Sequence, residues 1–110
     1  MKQALSFDDV LLAPQYSEIA SRTEIKISQS LTHLGNFSLP IISAPMDTVT
    51  GVGMALSMHK AGGLSIIHRY NSIKEQVDMA LAAGEEGAII GAAIGVNGDL
   101  VDRARALIKE

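Results

Sequence analysis

From residue 39 onward, short apolar runs alternate with longer stretches whose apolar residues recur at helical spacing, and this alternation predicts βα units joined into a parallel sheet. The apolar runs fall at residues 39–44, 64–68 and 88–94. Ile41 and Ile42 suit a strand covered on both faces, while the run 88–94 is rich in small residues that let backbone or ligand approach closely. A helix is predicted after each run. The first starts at Thr50 or Gly51 and ends before Gly62-Gly63. In the second, Ser72 and Glu75 have capping-box spacing, Ile73, Val77, Ala80 and Leu81 form one stripe, and Gly84 supplies the stop. The third opens near Asp99 with Leu100, Ala104, Leu107 and Ile108 on one face. Strand starts thus recur about every 25 residues. The first 38 residues show no such repeat. They carry an apolar patch at Val10-Leu11-Leu12, a turn at Pro14 and a weakly alternating short strand over residues 24–28.

The chain therefore divides into an entry segment, residues 1–38, and three βα units, residues 39–110, with one domain as the ceiling for this length. Two architectures share the pattern. One is a three-stranded α/β domain complete in itself; the other is the N-terminal portion of a (β/α)8 TIM barrel, which needs eight units and about 250 residues. In the second case the sheet edges are unpaired, and the isolated chain is expected to be poorly stable.

With 47% hydrophobic residues but only 4% aromatic ones, the core is expected to be aliphatic. A formal charge of −3 with both signs interspersed argues against a phosphate-backbone binder, so no nucleic-acid partner is expected. Acids appear too early for a signal peptide and no apolar run is long enough for a bilayer, so a cytoplasmic protein with no membrane partner is expected. The absence of cysteine excludes disulfides, thiolate metal sites and a Cys nucleophile within these residues. The three His are far apart and the acids lack ligand spacing, so no metal site is expected here.

In parallel α/β folds ligands sit at the carboxyl ends of the strands, which directs attention to residues 43–50, 68–71 and 95–99. After the first run, Pro45 rigidifies the turn, Met46 offers a soft surface for a flat ring, and Asp47 and Thr48 add polar groups. The alternative is that Met46 is core and Asp47-Thr48 cap the helix. After the second, His68-Arg69-Tyr70-Asn71 places a titratable ring, a cation, a phenol and an amide together. A solvated loop with Asn71 or Ser72 as helix cap is the competing reading. The glycines of residues 91–98 lack G-x-G-x-x-G spacing and read as a small-residue strand and an Asn-Gly turn. Ser21-Arg22 reads by default as surface loop.

Three blocks, Leu5-Ser6-Phe7-Asp8-Asp9-Val10-Leu11-Leu12-Ala13-Pro14, Ser43-Ala44-Pro45-Met46-Asp47-Thr48-Val49-Thr50 and Gly62-Gly63-Leu64-Ser65-Ile66-Ile67-His68, resemble the IMP dehydrogenase/GMP reductase family and occur in its order. The resemblance implies a TIM barrel acting on a purine nucleotide, IMP or GMP, in which a mobile-loop cysteine attacks C2 while a nicotinamide cofactor exchanges hydride. It places Ala44 near the ribose and Met46 against the base, with Ser43 and Asp47 supporting the loop. His68, with Arg69, falls toward the cofactor, and Ser21-Arg22 is similar to a pair that reaches the cofactor of a neighbouring subunit. A homo-oligomer, a tetramer when full length, is implied, as is a monovalent cation such as potassium bound by later strands.

Within the family, residues 46–50 are similar to dehydrogenases, which favours NAD, whereas Ser21-Arg22 and His68-Arg69 have the flavour of reductases, which use NADP. Residues 76–88 run directly into the third strand, so the regulatory module that many dehydrogenases insert there is not expected. The catalytic Cys loop belongs to later strands of the family. The chain is therefore expected to be the N-terminal part of an IMP dehydrogenase, inactive alone. A reductase fragment and a non-catalytic piece that pairs with an intact barrel subunit are the other readings.

Overall fold

A computed structural model of the chain describes residues 4–109. Residues 1–3 and Glu110, the outer ends of the two expected segments, lie outside them. Strands β1 (Gln29–Leu31) and β2 (Gly35–Phe37) form an antiparallel hairpin, with Ser30 opposite Asn36. Strands β3 (Ile42–Ser43), β4 (Leu64–Ile67) and β5 (Ile90–Ala92) form a parallel sheet in that order. Helices α1 (Val52–Ala61), α2 (Ile73–Glu85) and α3 (Leu100–Lys109) follow β3, β4 and β5 in turn. The alternation read from the sequence thus yields three parallel βα units. The sheet is open, its outer strands β3 and β5 having no further partner among the described residues.

The register explains which side is core. Ser43 pairs with Ser65 and Ser65 with Ile90, so these three share a face, and Ile90 packs against Ala55, Ala83 and Ala88 beneath the helices. Small alanines at those positions let α1 and α2 lie close to the sheet. On the opposite face Ile66 lies beside Gly91, where a Cβ would come within 2.6 Å of Ile66 Cδ1. The hairpin sits at the amino end of the sheet: Phe37 is buried, Leu39 N donates to Gly62 O at 3.0 Å, and Gly35 faces Ile89.

The helix ends follow from local chemistry. Gly62 terminates α1 at φ +83°, a left-handed conformation that favours glycine, and a Cβ there would collide with Ser38 Oγ. The expected capping box starts α2: Ser72 Oγ accepts from Glu75 N at 3.2 Å and Glu75 Oε2 accepts from Ser72 N at 2.8 Å.

Several expectations are corrected. No strand forms over residues 24–28; a 3-10 turn occupies Arg22–Glu24 and pairing begins at Gln29, where a turn with His33 at φ 74° closes the hairpin. The strands are shorter than their apolar runs. Ile41 and Ile42 are 52% and 57% exposed, because they lie at the unpaired edge where no layer covers them. Gly84 does not stop α2, which continues to Glu85 and ends before Gly87 at φ +80°. The buried face of α2 centres on Gln76 and Ala83, with Leu81 exposed, and that of α3 on Arg103, with Ile108 exposed. Among the described residues no helix is long and apolar enough to cross a membrane.

Candidate functional site

The loop after β3 is organised by hydroxyl groups. Thr50, fully buried, donates from Oγ1 to Ala44 O at 2.6 Å and bonds to Ser43 Oγ at 2.9 Å. Ser43 Oγ bonds in turn to Ser65 Oγ on β4 at 3.0 Å. The chain of three hydroxyls ties both ends of the loop to the sheet. Between these ties the backbone doubles back, with Met46 N donating to Ala44 O and Met46 O accepting from Val49 N and Thr50 N. Met46 is left 50% exposed at the carboxyl end of the sheet, beside exposed Ala44 and Asp47. Neither Asp47 nor Thr48 caps α1, whose N-cap is Gly51 with no side-chain bond; Asp47 Oδ1 accepts only from Thr48 N, at 3.0 Å.

The loop after β4 lies alongside. His68 N donates to Thr50 O at 3.4 Å, which joins the two loops, and His68 Nδ1 accepts from Tyr70 N at 3.2 Å. The His68 and Tyr70 rings are stacked with centroids 6.5 Å apart, and the Arg69 guanidinium lies over Tyr70 at 5.7 Å. Arg69 also reaches the third loop, since a Cβ on Gly95 would sit 3.1 Å from Arg69 Nη1. Ser72, not Asn71, caps α2.

Ser43, Ala44, Met46, Asp47, His68 and Arg69 are thus brought to one end of the sheet, the end that parallel α/β folds use for ligands. Ser21 and Arg22 lie apart in the entry segment, where Ser21 Oγ accepts from Thr23 N at 3.3 Å and Arg22 is exposed. Among the described residues no group of three His, Cys, Asp or Glu could hold a metal ion.

Sequence reading missed Thr50, Ser65, Gln76 and Arg103. Thr50 and Ser65 carry no periodic signal, because their role depends on the pairing of β3 with β4. Arg103 does carry one: it falls on the apolar stripe of α3 defined by Leu100, Ala104 and Leu107, where a lone cation needs buried acceptors. Its acceptors are buried Gln76 Oε1, Asn71 O and the more exposed Asp99 Oδ2, at 2.9, 2.9 and 2.6 Å. The hydrogen bond from Arg103 holds the Asp99 carboxyl below its ordinary pKa.

Comparison with known proteins bears on this arrangement. The IMP dehydrogenase / GMP reductase domain matches residues 4–110. Inosine-5'-monophosphate dehydrogenase of Nitrosopumilus maritimus is 43% identical over 89 residues, covering 81% of this chain and 19% of the relative. That of Aquifex aeolicus is 44% identical, covering 82% of this chain and 19% of the relative. That of Korarchaeum cryptofilum is 43% identical, covering 97% of this chain and 22% of the relative. The chain spans about a fifth of the length of these relatives. On the matched domain and these identities, the chain belongs to the IMP dehydrogenase/GMP reductase family.

Proposed function

We propose that the chain is the N-terminal part of the TIM barrel of an NAD-dependent IMP dehydrogenase, a cytoplasmic enzyme oxidising IMP to XMP, and that residues 43–50 form one wall of its nucleotide pocket. The hydroxyl chain carries this reading: Thr50, Ser43 and Ser65 hold the loop against β4 and leave Met46 uncovered at the carboxyl end of a parallel sheet. In that wall Ala44 lies near the ribose and Met46 packs on the base, with Ser43 and Asp47 as supports. All three relatives bear the name inosine-5'-monophosphate dehydrogenase, which supports IMP over GMP as the nucleotide.

The cofactor side belongs to His68 and Arg69. Their surface, a guanidinium over an exposed Tyr70 ring, fits a flat, anionic dinucleotide. NAD held there would supply the hydride acceptor for oxidation of the purine. Ser21 and Arg22, exposed on a separate turn, fit the role of reaching the cofactor of a neighbouring subunit in a homo-oligomer. With no cysteine in this chain, the covalent step requires a residue outside it.

Titrating the chain with IMP while following methionine methyl resonances tests the reading. The Met46 methyl is expected to shift while those of Met54 and Met58 do not, and Met46→Ala weakens binding by roughly tenfold. A folded chain whose Met46 methyl ignores millimolar IMP, or responds to GMP in preference, overturns it.

A further inference from the structure

Arg103 is 5% exposed, and its guanidinium is taken up by protein acceptors and not offered to a ligand. Its partners come from three places. Nε and Nη2 bond to Asp99 Oδ2, at 3.0 and 2.6 Å, in the loop leading into α3. Nη2 and Nη1 bond to Asn71 O and Oδ1, at 2.9 and 3.4 Å, in the loop that also carries His68 and Arg69. Nη1 bonds to Oε1 of fully buried Gln76, whose Nε2 donates to Ala93 O, just beyond β5, at 2.8 Å. One planar fork therefore fixes the loop after β4 against the loop after β5.

The ion pair joins a buried guanidinium to a half-exposed carboxylate and by itself adds little stability, but the bonded fork demands one geometry. That geometry matters on the ligand side, where Gly95 gives the Arg69 guanidinium its seat. Any slip of the loop after β5 displaces Gly95 and with it the cation. We propose that Arg103 is a positioning residue, holding the loops of residues 68–72 and 95–99 in a single register so that His68 and Arg69 meet the cofactor together. The assignment rests on the cofactor-side reading of His68 and Arg69.

Hydrogen exchange on the full chain, read at the His68 and Tyr70 amides, tests the coupling. Arg103→Lys keeps the charge but loses the fork, and is expected to speed exchange at both amides by roughly tenfold. Asp99→Asn, in the other loop and partly solvated, has the same effect in smaller measure and carries the test if Arg103→Lys does not fold. Arg105→Gln, on the exposed side of α3, leaves both amides unchanged. Exchange that accelerates only within residues 95–103 overturns the proposal.

NAD titration followed on the Tyr70 ring supplies the second readout. Arg103→Lys is expected to weaken the NAD response about tenfold while the IMP response of Met46 stays as it was. Equal loss of both responses overturns the positioning role in favour of general loosening. If the unsubstituted chain shows coupled loops but no NAD response, the cofactor reading falls and the loop coupling stands.

Discussion

At the scale of single residues, the Thr50 hydroxyl has the widest reach. It is fully buried, and its two oxygen partners, Ala44 O and Ser43 Oγ, define where the loop after β3 begins. Thr50→Val keeps the shape but leaves the Ala44 carbonyl and the Ser43 hydroxyl short of a partner. Urea unfolding of this variant is expected to show a loss of about 1–3 kcal/mol. The Met46 methyl should also move toward the resonance of a freely rotating methionine. An unaltered Met46 signal in a destabilised variant would detach the hydroxyl chain from the loop's shape. The residues around Thr50 were partly legible in advance: Met46, Asp47 and His68 stood out because turn-forming and functional side chains follow apolar runs. Thr50 and Ser65 did not, since only the parallel pairing of β3 with β4 brings hydroxyls seven and 22 positions from Ser43 to the same point.

Elements were legible where a local rule acts alone. The capping box of α2 and the Gly62 stop of α1 both depend on residues within one turn, and both formed as read. The short strand expected over residues 24–28 was misplaced because alternation at Ile25 and Ile27 marks an extended chain without naming its partner. Gln76 and Arg103 were overlooked because a polar stripe position reads as solvated until a neighbouring helix buries it. Two contacts at helix starts are also acid-sensitive. Arg103 hydrogen-bonds to Asp99, and the backbone N–H and hydroxyl of Ser72 bond to Glu75, so both carboxyls titrate below their ordinary values. Each contributes stability above about pH 4, where the unfolded groups ionise, and loses it as pH falls through the depressed folded value. The denaturation midpoint should therefore hold from neutrality to about pH 5 and fall below about pH 4. Asp99→Asn should flatten that acid limb; a midpoint indifferent to acid would contradict these bonds.

At the scale of the whole fold, the governing fact is that among the described residues the sheet has two free edges and a helix layer on one face. Ile41, Ile42, Ile89 and Ile94 are exposed along it, and Phe7, Leu11 and Leu12 are exposed in the entry segment. Such surfaces associate. Sedimentation is expected to show concentration-dependent self-association, reduced by Ile42→Lys at the β3 edge; an ideal monomer at all concentrations would count against this. The hairpin adds an asymmetry. With Phe37 buried, Ser38 against Gly62 and Leu39 N bonded to Gly62 O, it covers part of the amino end of the sheet. The carboxyl end, where Met46 and Tyr70 are exposed, carries no such cover from the hairpin. Substitutions in the hairpin should accordingly alter how long the fold survives without altering what it recognises, a division of labour between the two ends of the same three strands.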